Sequence, residues 1–130
     1  FVKTIDLDFV HIKLYENYLI STIKEGVVFD KPHLERLYKI LNDSFPGQYY
    51  GYISDRKFDY TVNPTCYLKS ETIHPNLLGI AVHCYNSASY NNAQFERNFY
   101  HRPMDTFYTL DQCKEWVNKL IESKKEKAGL

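Results

Sequence analysis

Three kinds of residue in this chain could do chemistry: thiols, histidines, and charged groups placed where a strand gives way to a loop. His83 and Cys84 end an apolar run and could act as base and thiol nucleophile. Neighbours on a strand point to opposite faces, so the two cannot easily work together. Cys66 could approach His83 only through the fold. Ser54, Asp55 and Arg56 close another strand-like stretch, where Arg56 could bind an anion that Asp55 orients. As a solvated loop with a local ion pair the same three residues need no function, and that is the favoured reading. His101-Arg102 could meet a phosphate or simply form a basic helix end. The histidines His11, His33, His74, His83 and His101 lack the i, i+4 spacing and carboxylate company of a metal site. No metal or other cofactor is therefore expected, and no catalytic residue is assigned.

The elements that must position these groups follow from periodicity and punctuation. Residues 2–23 are rich in β-branched and aromatic side chains, and Ile12 and Leu14 alternate with His11, Lys13 and Tyr15. Glu16-Asn17 divides the run, so residues 9–15 and 18–23 should pair as a hairpin, with 2–7 the start of the same strand beyond a bend near Asp8. Asp30 before Lys31-Pro32 opens a helix, Leu34, Leu37, Ile40, Leu41 and Phe45 give it one apolar face, and Pro46-Gly47 ends it. A strand over 49–54 follows, then a polar stretch to Thr61, then a short helix opened by Asn63-Pro64. The apolar run 77–82 reads as a strand covered on both faces, at the centre of the sheet. Residues 90–100 read as a helix, 104–108 as a short edge strand, and 109–121 as a closing amphipathic helix carrying Cys113, Trp116, Val117, Leu120 and Ile121. The charged tail 122–130 should fray.

The order β-β-α-β-α-β-α-β-α describes one α/β domain over 1–121, with a mixed, mostly parallel sheet of about five strands, an N-terminal hairpin and about four helices. A length of 130 residues and 44% hydrophobic content suffice for one core without metal or disulfide support. Sixteen basic residues cancel sixteen acidic ones, which removes any net field toward nucleic acid or an anionic membrane. No apolar run approaches the roughly 20 residues that cross a bilayer. Three cysteines, Cys66, Cys84 and Cys113, form no C-x-x-C pair and fit a reducing, cytoplasmic setting.

The element order resembles the STAS-like domains, the fold of bacterial anti-sigma-factor antagonists and of sulfate-transporter tails. The likeness runs over residues 2–121. It rests on the strand 49–54 leading to a capped short helix, on the apolar strand 77–82, and on Thr109-Leu110-Asp111-Gln112 with Trp116-Val117. Tyr50-Gly51-Tyr52-Ile53-Ser54-Asp55-Arg56 and Val62-Asn63-Pro64-Thr65-Cys66-Tyr67-Leu68 are also similar to segments of small uncharacterised bacterial proteins of that fold. The resemblance implies a phosphoacceptor at the start of the helix after the third strand. Thr65 is the counterpart, although Asn63-Pro64-Thr65-Cys66 lacks the acidic residue and glycine of the family's turn.

These observations imply a non-enzymatic regulatory or binding module. It would recognise a protein partner or small ligand over Ser54, Asp55, Arg56, Thr65, His83 and Cys84, with Tyr49, Tyr50, Tyr60 and Tyr67 as contact surface. A small cysteine/histidine or carboxylate enzyme and a lipid-binding module are the alternatives. Homodimerisation could use the hairpin or the 104–108 strand as a free edge.

Overall fold

The computed structural model describes residues 3–68, 74–127 and 129. Strand β1 (Lys3–Asp6) pairs antiparallel with β2 (Val10–Leu14), which forms the expected hairpin with β3 (Tyr18–Ile23). The first segment is thus a strand of its own. The chain reverses at 7–10, where the Leu7 amide donates to the Val10 carbonyl at 2.8 Å, instead of bending and continuing. From β3 the sheet proceeds in parallel through β5 (Tyr50–Asp55), β7 (Leu77–His83) and β8 (Met104–Phe107), giving six strands in the order β1-β2-β3-β5-β7-β8. Strand β7 lies beside the edge strand β8 and not at the centre as expected. Two short strands, β4 (Val28–Phe29) and β6 (Thr61–Val62), form a separate parallel ladder.

Helix α1 (Lys31–Ser44) begins where the sequence places it. The Asp30 carboxylate accepts from the Lys31 amide at 2.8 Å, and the His33 Nδ1 accepts from the Asp30 amide at 3.1 Å. The helix expected at Asn63-Pro64 is a four-residue 3-10 turn (Pro64–Tyr67). Helix α2 (Ser87–Glu96) starts three residues before the expected point because Asn86 caps it, and it tightens into a 3-10 turn (Arg97–Phe99). Helix α3 (Leu110–Lys127) runs through most of the tail that was expected to fray; its lysines at 124, 125 and 127 complement the negative helix end.

Parallel neighbours that step in one direction across a sheet place their right-handed connections on one face. Accordingly α1 packs on Leu19, Ile23 and Tyr50, and α2 on Ile80 and Val82, all on the same side. Among the described residues helix α3 covers the other side, laying Cys113, Val117 and Ile121 on Ile20, Ile53 and Ala81. Its close approach depends on two glycines. A Cβ on Gly51 would run into the Val117 side chain, and one on Gly79 would lie 2.7 Å from Leu120 Cδ1 and 2.8 Å from the Pro103 carbonyl oxygen. Gly51→Ala should therefore destabilise the protein by about 1–3 kcal/mol in urea unfolding, and adding Val117→Ala should relieve the clash, so that the two changes are clearly non-additive.

Candidate functional site

The end of β5 separates its three polar residues by strand alternation. Ser54 and Arg56 face α2, and Asp55 faces α3. Arg56 is not available to an external anion. Its Nη1 and Nη2 each donate to a Glu96 carboxylate oxygen at 2.8 Å, its Nε donates to Ser54 Oγ at 2.9 Å, and the Tyr60 ring centroid lies 5.3 Å from its Cζ. The Tyr67 hydroxyl also donates to Glu96, at 2.7 Å. The side chains of Arg56 and Glu96 are only 7% and 5% exposed, so each would be a costly buried charge without the other. Glu96 is moreover the last residue of α2, where the helix dipole disfavours a carboxylate and a facing guanidinium offsets it. Burial, followed by the Glu96 charge, pushes the Tyr67 phenol well above its ordinary range, so it stays a donor. Asp55 therefore does not orient an anion for Arg56; the two residues belong to different faces.

Asp55 instead meets His83, its register partner on β7, with Oδ1 and Nδ1 3.3 Å apart. The two atoms do not meet hydrogen-bond geometry, so this is a close polar contact and not a hydrogen bond. Thr22, opposite Asp55 on β3, donates its hydroxyl to Oδ2 at 3.3 Å. The Tyr85 ring packs on His83 at 4.4 Å between centroids, and burial followed by the Asp55 carboxylate pushes its phenol up to about 12. Asp55 is thus flanked by groups from the ends of the two neighbouring strands, β3 and β7. Six strands span roughly 24 Å whereas one helix covers about 10 Å, so α3 leaves the hairpin side of this face uncovered. There Asp55, Thr22, His11, Lys13, Lys57 and Phe58 line, with Tyr15, Ile20 and Leu110, an open groove of about 360 Å³ at the carboxyl edge of the sheet.

The remaining candidates are occupied elsewhere. Cys84 is fully buried among Val82, Ala93 and Met104, on the face opposite His83, and burial raises its thiol pKa. Burial, followed by the Glu96 and Asp30 charges, pushes the Cys66 thiol up to about 12; burial likewise takes Cys113 to about 12. None of the three presents a thiolate near neutral pH. At Thr65 the amide and hydroxyl both donate to Asn63 Oδ1, at 3.2 and 2.7 Å, on a turn too short to build a helix dipole. A phosphate on Thr65 would find no helix dipole there to stabilise it. Arg102 donates from Nη1 to the carbonyls of His74, Pro75 and Leu77 at 3.2, 2.8 and 2.8 Å, which accounts for its place beside His101 without a phosphate. Tyr50 is buried against Phe45 at 4.6 Å, so it adds no contact surface. Among the described residues no group of three or more His, Cys, Asp or Glu could hold a metal ion, and no helix is long and apolar enough to cross a membrane.

Sequence reasoning missed Glu96, Tyr67, Thr22 and Tyr85 as neighbours of these groups, and Lys13 and Lys57 as lining of the groove. Thr22 and Lys13 could have been found from the hairpin register, which places them on the Asp55 face; Glu96 could not, because α2 carries almost no amphipathic pattern.

No known family profile matches the sequence, and no curated protein matches it. Among solved structures the chain is similar to an uncharacterised DUF3478-family protein of Shewanella loihica PV-4 with a SpoIIAA-like fold. The identity is 13%, covering 83% of this chain and 91% of that one, with a TM-score of 0.59. The fold is SpoIIAA-like. That likeness bears out the STAS-like architecture read from the element order and carries no function with it.

One buried histidine gives the fold a pH signature. His74 is 2% exposed, its Nδ1 lies 3.3 Å from the Tyr50 hydroxyl, and its ring packs on Tyr38 at 3.9 Å. Burial pushes its pKa down to about 4 from an ordinary 6.5. Between those values the unfolded chain binds more protons, so stability should fall as pH drops from 6.5 toward 4, by on the order of 3 kcal/mol from this group. Urea unfolding at pH 7 and pH 4.5 should show this loss, and His74→Gln should flatten it.

Proposed function

We propose that this chain is a non-enzymatic binding module whose site is the groove at the carboxyl edge of β3 and β5. The observation that carries this reading is Asp55, a carboxylate held between Thr22 and His83, each at 3.3 Å, and lining an open groove of about 360 Å³. Positioned polar groups in a concave, partly apolar setting are what a small-ligand site needs, and open α/β sheets commonly bind at this edge. Thiol catalysis has no support in three buried, protonated cysteines. Lipid binding has little, because the apolar cavity between α1 and the sheet leaves only about 40 Å³, room for a few waters.

A protein partner is the second reading. Tyr85 and Tyr108, 49% and 53% exposed, follow β7 and β8 at the same edge, and aromatic rings give contact area at low entropic cost. A thermal-shift screen with a small-molecule library should yield ligands that raise the melting temperature of the native sequence and leave Asp55→Asn unmoved. A library with no such hits, or hits indifferent to Asp55→Asn, would remove the small-ligand reading and leave the aromatic edge as the binding surface.

A further inference from the structure

The groove carries opposite charges that do not satisfy one another. Asp55 lies at its inner wall, its Oδ2 taking the Thr22 hydroxyl and its Oδ1 facing His83. Lys13 projects from β2 on the same face and Lys57 follows Asp55 beyond the strand. Among the described residues neither ammonium has a carboxylate within 4.0 Å, Asp55 included. Lys57 instead places its Nζ 5.5 Å from the Phe58 ring centroid. His11, on the outer wall, is engaged by Asp6 at 3.4 Å. Helix α3 opens at Leu110 on the groove's wall, which adds positive partial charge on that side. The space between is walled by Tyr15, Ile20, Phe58 and Leu110. An anionic ligand would satisfy the lysines and meet Asp55 as a like charge; a cationic one would do the reverse.

Resting on the binding reading above, we infer that the groove takes a small zwitterion with an apolar side chain, of the α-amino acid type. Its ammonium pairs with Asp55, its carboxylate with Lys13 and Lys57, and its side chain lies along Tyr15, Phe58 and Leu110. The volume, about 360 Å³, is at the low end for small-molecule sites and suits a ligand of that size. Asp55 is the orienting group because its carboxylate is braced, whereas the two lysines stand on flexible stems that close on whatever anion the first contact delivers.

The test uses three probes that share one ring: L-phenylalanine, phenethylamine, which lacks the carboxylate, and 3-phenylpropanoate, which lacks the ammonium. Calorimetric titration of the intact protein should show L-phenylalanine binding about tenfold or more tighter than either analogue, since each analogue loses one charge-assisted contact. Asp55→Asn should weaken L-phenylalanine about tenfold and leave 3-phenylpropanoate unchanged or tighter; Lys13→Met with Lys57→Met should weaken L-phenylalanine and spare phenethylamine. Far-ultraviolet circular dichroism of each variant confirms that it is folded. An analogue that binds as tightly as L-phenylalanine, or L-phenylalanine binding indifferent to Asp55→Asn, overturns the zwitterion inference. If none of the three binds while library ligands still depend on Asp55, only the ligand class is wrong; if nothing depends on Asp55, the site itself is.

Discussion

A guanidinium and a carboxylate with almost no access to water must have each other, and the Arg56–Glu96 pair is the constraint on which this edge of the molecule is built. It joins residues 40 positions apart, tying the end of β5 to the last turn of α2, and it draws in Ser54 from the strand and Tyr67 from the 3-10 turn. The two long charged side chains face each other in a two-point geometry with little freedom left to lose, which is the arrangement in which a buried ion pair can hold its own against desolvation. By fixing the strand end on one side, the pair also fixes what alternation must do on the other. With Ser54 and Arg56 locked toward α2, Asp55 points out on the α3 side.

That division separates closed from groove-facing chemistry within three consecutive residues. The α2 face is closed, and Arg56, Glu96, Ser54 and Tyr67 satisfy one another there. The α3 face is covered by one helix across a six-stranded sheet, so the hairpin side of it stays open, and the charged residues there, Lys13, Lys57 and Asp55, are not consumed by one another. The SpoIIAA-like architecture supplies this asymmetry without dictating its use, because among the described residues α1 and α2 pack on one face of the sheet and the C-terminal helix on the other.

Much of the architecture could be read from local signals. Asp30 with Pro32 gave a cap with a mechanism, period-two alternation marked β2, and the almost uniformly apolar run 77–82 marked a strand buried on both faces. The misreadings have equally physical causes. Strand β1 has one half-buried residue, Ile5, so nothing in its pattern distinguished it from an extension of β2. Helix α2 buries only Ala93 and Glu96, and a buried glutamate counts against an apolar face instead of toward one. For the site, alternation correctly separated His83 from Cys84 but was not applied to Asp55 and Arg56, which it separates in the same way. Glu96 as the partner of Arg56 depended on a contact across the fold that no spacing encodes.

The division of labour we propose gives Arg56 to the fold and Asp55, its neighbour in sequence, to the groove. Chemical denaturation of Arg56→Met and Asp55→Asn side by side tests it most directly. Arg56→Met should cost about 3–5 kcal/mol, because Glu96 is left buried and unpaired, while Asp55→Asn should stay within about 1 kcal/mol of the native sequence. A near-neutral Arg56→Met, or an Asp55→Asn as damaging as Arg56→Met, would contradict it.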